Sequence, residues 1–180
     1  NSNIAEKGMD AEANRAAVLE LDANGGSQRV YAGGLRNPVG LAWEPHSGQL
    51  WAVVNERDEL GNDLVPDYLT RVDSGAFYGW PYSYFGQHVD TRVKPQRPDL
   101  VATARRPDYA LGSHVAPLGL AFANGDALGS DYAEGAFIGL HGSWNRKPLN
   151  GYKVVFVPFR GGMPAGAMRD VLSGFLDEGG

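Results

Sequence analysis

Short apolar runs alternate with glycine, proline and polar residues along most of the chain. Their length and their content of Val, Leu, Tyr, Phe and Trp are typical of strands. Helical periodicity is nearly absent; the best candidates are residues 4–15 and a single turn near 167–176. The pattern therefore predicts an all-β fold of antiparallel strands, with strands at residues 16–23, 39–45, 49–55, 68–73, 118–124, 135–141 and 152–159.

One sequence pattern occurs twice. The stretches "NPVGLAW" (37–43) and "APLGLAF" (116–122) share Pro, an apolar residue, Gly, Leu, Ala and an aromatic residue, and their prolines are 117 − 38 = 79 positions apart. A β-propeller blade takes about 40 to 50 residues, so this spacing corresponds to two blades or to one blade with a long insertion. Residues 81–114, rich in proline and charge, are interpreted as an insertion loop that lies over the ligand-binding face.

Composition limits the class of protein. The chain has 180 residues, 43% hydrophobic and 21% charged, as expected for one globular domain spanning residues 1–180. A net charge of −5 and the absence of long Lys/Arg runs argue against a nucleic-acid partner. No cysteine is present, which excludes disulfides and thiolate chemistry. No apolar stretch reaches the roughly 18 residues needed to span a membrane, and the first residues lack the pattern of a signal peptide.

Each repeat is followed by a polar cluster, "VVNERDELGND" after the first and "GLHGSWNRK" after the second. Equivalent strand exits in a propeller converge around the central channel, so both clusters could face one ligand. For either cluster alone, ordinary turn chemistry is the simpler explanation. Six oxygen-bearing residues of the first cluster and its continuation could hold a hard cation such as calcium, although their spacing is not that of an EF-hand: Asn55, Glu56, Asp58, Glu59, Asp63 and Asp67.

Four longer stretches together resemble the glucose/sorbosone dehydrogenase family, soluble sugar dehydrogenases that use pyrroloquinoline quinone (PQQ). They are "YAGGLRNPVGLAW", "VVNERDELGNDLVPDYLTRVDSGAFYGWPYSYFG", "SHVAPLGLAF" and "HGSWNRKPLNGYKVVFVPF". The resemblance covers nearly the whole chain and is closer to the sorbosone dehydrogenase-like branch. It implies a six-bladed β-propeller of antiparallel four-stranded blades, with PQQ and calcium on its top face and a periplasmic or secreted location.

The resemblance also implies residue roles. Arg36 and Asn37 match an Arg-Asn pair that lies against the cofactor, and His114 falls where the family offers a polar side chain. Asn145 stands in the place of a cofactor-binding Lys and is followed by Arg146. These five residues are expected to converge on one face. The guanidinium group of Arg36 is planar and permanently charged. It could bind a carboxylate, or it could stabilise a loop by donating hydrogen bonds to backbone carbonyl oxygens.

The "NERD" stretch matches the family loop whose backbone carbonyls ligate calcium, which places Arg57 and Asp58 at the metal. Val39 replaces a Gln found in glucose-specific relatives, and Asn145 replaces the Lys, so fewer contacts to PQQ are expected. Six blades need roughly 240 to 300 residues. The 180 residues are therefore expected to be an internal fragment of the ring. The family's catalytic His would lie upstream, so no catalytic residue is assigned.

Three functions remain open. The leading one is a fragment of a PQQ-dependent dehydrogenase that oxidises an aldose or sorbosone-type sugar by hydride transfer to the quinone, with calcium assistance and an unidentified electron acceptor. The isolated fragment is expected to be inactive and, with unpaired sheet edges, to pair as a possible homodimer. The alternative is a cofactor-free propeller that binds ligands. A metal-dependent lactone hydrolase is a third, whose ligand pattern the motifs do not match.

Overall fold

The structure is a computed structural model that describes residues 2–123 and 125–176. Two short 3₁₀ segments, Met9–Glu12 and Ser130–Tyr132, accompany the regular elements. The elements in chain order are β1 (Ala17–Leu21), β2 (Gln28–Gly33), β3 (Asn37–Trp43), β4 (Leu50–Asn55), β5 (Pro66–Arg71), β6 (Ser83–Tyr84), β7 (His88–Val89), α1 (Pro98–Thr103), β8 (Tyr109–Ser113), β9 (Pro117–Phe122), β10 (Gly135–Leu140), β11 (Lys153–Arg160), β12 (Met163–Pro164) and β13 (Arg169–Leu172).

Two antiparallel sheets make up most of the molecule. The first sheet has the order β3-β4-β5-β8, and the second has the order β9-β10-β11, with β12 and β13 both paired to the far side of β11. Two hairpins, β1-β2 and β6-β7, complete the strands. The prediction of an all-β fold with antiparallel strands is confirmed.

The two sequence repeats occupy equivalent positions. "NPVGLAW" is β3 and "APLGLAF" contains β9, and each strand is the edge strand with which its sheet begins. The two strands pack against each other closely at Gly40. A Cβ atom added there would lie 2.8 Å from the Leu118 carbonyl oxygen and 2.9 Å from Val53 Cγ2, so only glycine fits. At Gly119, the matching position, the nearest such atom is 3.9 Å away.

Strand β4 is buried on both faces. Its apolar run Trp51–Val54 is fully buried. Trp51 and Val53 pack against the second sheet, whereas Ala52 and Val54 pack against the β1-β2 hairpin. The first sheet is therefore the middle layer, and its central strand is continuously apolar because neither face meets water.

The second sheet buries one face well. Ala136, Ile138 and Leu140 alternate along β10 and face the first sheet, together with Val155 and Val157 of β11. This period-two pattern is typical of a strand with one buried face. The described residues include no helix long and apolar enough to cross a membrane.

The segment interpreted as an insertion, residues 81–114, has two parts. Its last residues form β8, which pairs with β5 and so belongs to the first sheet. The earlier part contains β6, β7 and α1 and has a small apolar core of Tyr82, Val93 and Val101. That this segment covers a ligand-binding face stays a prediction.

One predicted element is wrong, and seven short elements were not predicted: β2, β6, β7, α1, β8, β12 and β13. The expected helical turn near 167–176 is instead strand β13, because β11 offers an edge whose backbone groups need partners. Of the candidate helix at 4–15, the structure retains only the 3₁₀ segment Met9–Glu12. Strand β2 escaped prediction because it begins with the exposed polar residues Gln28 and Arg29, and α1 because it is only six residues long.

Candidate functional site

The Asp58 carboxylate is the centre of a polar cluster drawn from three parts of the chain. Arg36 Nη2 lies 3.6 Å from its Oδ2, and His114 Nδ1 lies 3.6 Å from its Oδ1. Asn145 donates a short hydrogen bond from Nδ2 to the same Oδ1. The two sheets therefore bring together residues more than a hundred positions apart.

Arg36 and His114 are each held by a further contact. Arg36, in the turn before β3, also donates from Nη1 to the Glu56 carbonyl oxygen at 3.1 Å. His114 lies between β8 and β9 and is buried, with Nε2 at 2.9 Å from the Gly61 carbonyl oxygen. Because a carbonyl only accepts, Nε2 carries the proton and Nδ1 faces Asp58.

Asp67 joins two loops beneath the cluster. It lies on β5, is only 4% exposed, and accepts hydrogen bonds from the backbone N–H of Glu56 at 2.7 Å and of Ala116 at 2.8 Å. Burial raises the pKa of Asp67 to about 6. The carboxylate thus fixes the start of the loop after β4 relative to the start of β9.

Asn3 clamps the backbone of Asp58. Its side-chain Oδ1 accepts from the Asp58 N–H at 2.8 Å, and its Nδ2 donates to the Asp58 carbonyl oxygen at 3.3 Å. Trp80 Nε1 holds Asn3 in turn by donating to its carbonyl oxygen at 2.9 Å. The Asp58 carbonyl also accepts from Arg92 Nη1 at 3.1 Å. The backbone at the centre of the cluster is therefore fixed from two sides.

The side chain of Arg57 serves a different purpose. It is fully buried, and its guanidinium donates to the carbonyl oxygens of Pro81 at 2.8 Å and Ser83 at 2.7 Å. It also pairs with Glu56 and Asp90, each at 3.1 Å. Arg57 therefore fastens the start of the 81–114 segment to the loop after β4.

Asp90 completes this buried ion network. Burial by itself would raise the pKa of Asp90, but hydrogen bonds from Arg92 and Arg57 outweigh it and hold the pKa at about 2. Asp90 is thus a permanent anion near neutral pH. The network stabilises the segment that packs beside the cluster, and Glu56 is its one member that lines the cleft.

Two connected spaces adjoin the Asp58 cluster. A narrow cleft of about 70 Å³ is lined by Arg36, Glu56, Asp58, His114 and Asn145, among others. A wider recess of about 490 Å³ shares Asp58, Trp144 and Asn145 with it. In the part of the chain that the structure describes, the buried Glu56 Oε1 has no hydrogen-bond partner, and no three His, Cys, Asp or Glu side chains are grouped to hold a metal.

The remaining candidates lie apart from the cleft. Arg146 donates from Nη1 to the Asn62 carbonyl oxygen at 2.7 Å and pairs with Asp63 Oδ1 at 3.0 Å. Asn37 is paired in register with Asn55 at the edge of the first sheet. Neither Asn37 nor Arg146 lines the cleft. The structure thus brings together Arg36, His114, Asn145 and Asp58, and their roles toward a cofactor or metal stay predictions.

Sequence reasoning missed three residues that organise the cluster. Asp58 was assigned through its backbone carbonyl, whereas its side chain makes the central contacts. Asp67 was named only as a possible metal ligand, and Asn3 was not named. An acidic residue on an otherwise buried strand was the available signal for Asp67; no sequence signal pointed to Asn3.

Comparison with known proteins points to the same family as the sequence motifs. A family model described as Glucose / Sorbosone dehydrogenase matches residues 4–143. A pyrroloquinoline quinone-dependent pyranose dehydrogenase from Coprinopsis cinerea is 30% identical over 162 residues, which covers 72% of this chain and 21% of that protein. This chain thus matches about a fifth of that protein's length.

Two solved structures have a similar fold. The holo form of the pyranose dehydrogenase PQQ domain from Coprinopsis cinerea matches with a TM-score of 0.76 at 23% identity, over 96% of this chain and 54% of that one. A calcium structure of Trichoderma reesei Carbohydrate-Active Enzymes Family AA12 matches with a TM-score of 0.79 at 20% identity, over 96% and 53%. The chain therefore spans about half of each of these solved chains.

Proposed function

Since the chain belongs to the glucose/sorbosone dehydrogenase family, we propose that its Asp58 cleft is part of the cofactor cradle of a PQQ-dependent sugar dehydrogenase. The proposed architecture is a six-bladed β-propeller to which these residues contribute a part, in a periplasmic or secreted enzyme. One observation carries the proposal: Arg36, His114 and Asn145 converge on Asp58 beside an open recess.

The donor set fits an acidic quinone. PQQ carries carboxylates and carbonyl oxygens, and these accept hydrogen bonds from guanidinium, imidazole and amide groups. Arg36 and Asn145 supply a guanidinium and an amide at one cleft, and His114 turns its Nδ1 toward the same place. The cleft of about 70 Å³ is too small for a three-ring molecule by itself. The adjoining recess of about 490 Å³ has the volume usual for small-molecule sites.

The fit to calcium rests on oxygen atoms of the same loop. Calcium prefers carboxylate and carbonyl oxygens, and Glu56 Oε1 lies buried without a hydrogen-bond partner in the described part of the chain. The carbonyl oxygens of Glu56 and Asp58 already accept from Arg36, Asn3 and Arg92. We therefore assign the metal to Glu56 Oε1 and the Arg57 carbonyl in preference to the Asp58 carbonyl.

The residues of this chain would bind and orient the cofactor. Asp58 holds Arg36, His114 and Asn145 in one place, while Asp67 and Asn3 fix the backbone beneath them, so the donors need little reorganisation on binding. PQQ, when bound, supplies the quinone carbon that accepts a hydride from the sugar. Arg36 would place permanent positive charge where negative charge develops. The proton acceptor for the sugar hydroxyl is assigned to a residue outside this chain.

A second candidate function is a cofactor-free module that binds ligands. Two features favour it: Asn145 stands where the family resemblance expects a Lys, and Val39 where it expects a Gln. The amide of Asn145 lacks the charge of Lys, so its attraction to a carboxylate is weaker. PQQ binding separates the two functions.

The first test is PQQ binding by the 180-residue chain in calcium chloride, measured by equilibrium dialysis. We expect saturable binding by the wild type, and an affinity for PQQ at least tenfold lower in Arg36→Ala. Arg29→Ala is the matched control, because Arg29 is an exposed arginine on β2 that contacts Glu20 and Ser74. Equal binding by wild type and Arg36→Ala, with both folded by circular dichroism, would contradict the proposal and favour the ligand-binding module.

The second test is turnover. We expect no dye reduction from glucose by the 180-residue chain supplied with PQQ and calcium, because general base catalysis contributes about 10²- to 10⁴-fold to a rate and the base is assigned elsewhere. Addition of the missing part of the family architecture, by expression of a longer chain, should restore activity. Turnover by the 180 residues alone would show that the base lies within them.

A further inference from the structure

Trp144 is the most exposed large apolar side chain among the described residues, with 81% of its surface in contact with solvent. It lies in the loop between β10 and β11, at the wall shared by the cleft and the recess. An indole ring exposes a large apolar area that folding normally buries. Its exposure beside a site is therefore an observation to explain.

The backbone before Trp144 is rigidly held. Ser143 uses all its polar groups within the loop: its N–H donates to the Asn150 carbonyl at 2.8 Å, its Oγ accepts from the Asn150 N–H at 2.8 Å, and its carbonyl accepts from the Tyr152 hydroxyl. The Gly142 N–H donates a hydrogen bond to the Val115 carbonyl oxygen. The ring of Tyr152 lies where a Cβ atom on Gly142 would be.

The residues after Trp144 are fixed as well. Asn145 donates to Asp58, and Arg146 reaches the loop after β4 at Asn62 and Asp63. Lys147 and Asn62 exchange two hydrogen bonds, at 3.0 and 3.3 Å. Trp144 is thus exposed on a loop that is anchored on both sides, and its exposure is not the result of a loose loop.

The recess beside the ring is open and has both polar and apolar walls. Its walls include the carboxylate of Glu59, which is largely exposed, and the amides of Asn3, Asn62 and Asn145. A flat aromatic face next to carboxylate and amide groups matches a pyranose ring, which has an apolar face of C–H groups and an edge of hydroxyls.

We propose that Trp144 is the stacking platform for the pyranose ring of the substrate, with Glu59 and Asn62 positioned to bond its hydroxyls. Trp144 is thereby a specificity-determining residue that acts on the sugar and not on the cofactor. The inference rests on the proposed function for its choice of a sugar ligand. A preorganised ring requires little ordering on binding, which favours recognition of a small, weakly held ligand.

The experiment uses D-glucose as the probe and D-sorbitol, an open-chain polyol without a pyranose face, as its control. The chain has four tryptophans. Trp51 and Trp80 are buried, whereas Trp43 is 65% exposed on β3 and lines neither space. The variant Trp43→Phe therefore leaves Trp144 as the exposed tryptophan, and acrylamide quenching of its fluorescence reports on that ring.

We expect glucose, but not sorbitol, to reduce acrylamide quenching in Trp43→Phe in a saturable way. Saturation-transfer NMR should show magnetisation passing from aromatic protons to the glucose ring protons in wild type and Trp43→Phe, with loss of the signal in Trp144→Ala. Because Trp144 is exposed, this variant should fold, as circular dichroism can verify.

Three outcomes overturn the inference: no glucose effect in Trp43→Phe, an equal effect of sorbitol, or transfer that persists in Trp144→Ala. Loss of PQQ binding in Trp144→Ala with glucose transfer intact also overturns it, because the ring would then serve the cofactor. The PQQ titration of Arg36→Ala reports on the proposed function independently, so failure of one is distinguishable from failure of the other.

Discussion

The loops that follow β4 and β10 occupy equivalent positions in two sheets that begin with the same sequence pattern, yet they place their largest side chains in opposite surroundings. The first loop, residues 56–65, contains Arg57, which is 0% exposed, and the second, residues 141–152, contains Trp144, which is 81% exposed. The 81–90 segment covers the first loop through Arg57. The second loop is held by hydrogen bonds between its own residues Ser143 and Asn150.

The two loops contribute different groups to the site. The first loop supplies a fixed anion, Asp58, whose backbone is clamped on both sides. The second loop supplies Asn145 and an exposed ring above it. The buried start of the first loop, Glu56 and Arg57, is suited to hold charged groups in place, because low-dielectric surroundings strengthen their contacts. An exposed loop is suited to meet a ligand that arrives from solvent.

The largest expected effect is on the buried arginine. Arg57→Met leaves Glu56 as a buried anion without its charged partner, while Asp90 keeps Arg92, and the loss of one partner of a buried ion pair costs about 3 to 5 kcal/mol of the free energy of unfolding. Arg146→Met, the matched change in the second loop, removes a surface ion pair and should cost about 1 kcal/mol or less. Urea denaturation followed by tryptophan fluorescence measures both. Equal losses would contradict the division between the loops.

The next effect concerns Asp67, which ties the first loop to β9. Its folded-state pKa of about 6 lies above the ordinary value of 3.8, so the folded state favours the protonated form. Its contribution to stability is therefore present below about pH 4 and is lost as the pH rises through 6; a shift of this size corresponds to about 3 kcal/mol.

The measurement is the free energy of unfolding of wild type and Asp67→Asn between pH 4 and pH 7. The decrease between pH 4 and pH 7 should be about 2 kcal/mol smaller in the variant, whatever the variant's overall stability. Asp90 does not interfere, because its lowered pKa of about 2 confines its own effect to lower pH. Parallel curves for the two proteins would mean that Asp67 does not titrate in this range.

The smallest effect extends the comparison to the strands. Gly40→Ala places a methyl group 2.8 Å from the Leu118 carbonyl oxygen and should cost about 1 to 3 kcal/mol through overpacking. Gly119→Ala, the same residue of the other repeat, meets nothing closer than 3.9 Å and should change stability by less than about 0.5 kcal/mol. The midpoints of urea unfolding compare them directly. A greater loss in Gly119→Ala would show that β9, not β3, is the constrained strand.

Much of the fold follows from the sequence pattern. All seven predicted strands are present, because each is a short apolar run bounded by turn residues, and family membership is confirmed. Six strands were not predicted, and two of them, β2 and β13, are edge strands with exposed residues, whose partners and not their own composition decide their conformation. A helical turn and an edge strand are hard to distinguish in so short a segment as 169–172.

The candidate site was less predictable. Family resemblance selected Arg36, His114 and Asn145, which do meet in one cleft. It did not select the Asp58 side chain or Asn3, because their importance lies in contacts between segments far apart in sequence. Residue type and spacing carry no information about such contacts until the sheets are packed. The same limit applied to Arg57, whose buried network depends on a segment more than twenty residues away.

Asp58 also has a consequence for folding order. Its contact with Asn3 closes a loop of 55 residues, and its contact with Asn145 closes one of 87. Closing each loop costs chain entropy, and this cost is met before the contact itself contributes any stability. Such long-range contacts therefore form late in folding and are lost early in unfolding. During refolding, the two sheets should therefore gain hydrogen-exchange protection before the cluster around Asp58 is assembled. Under mild heating, a chain that still has native circular dichroism would already have lost its site.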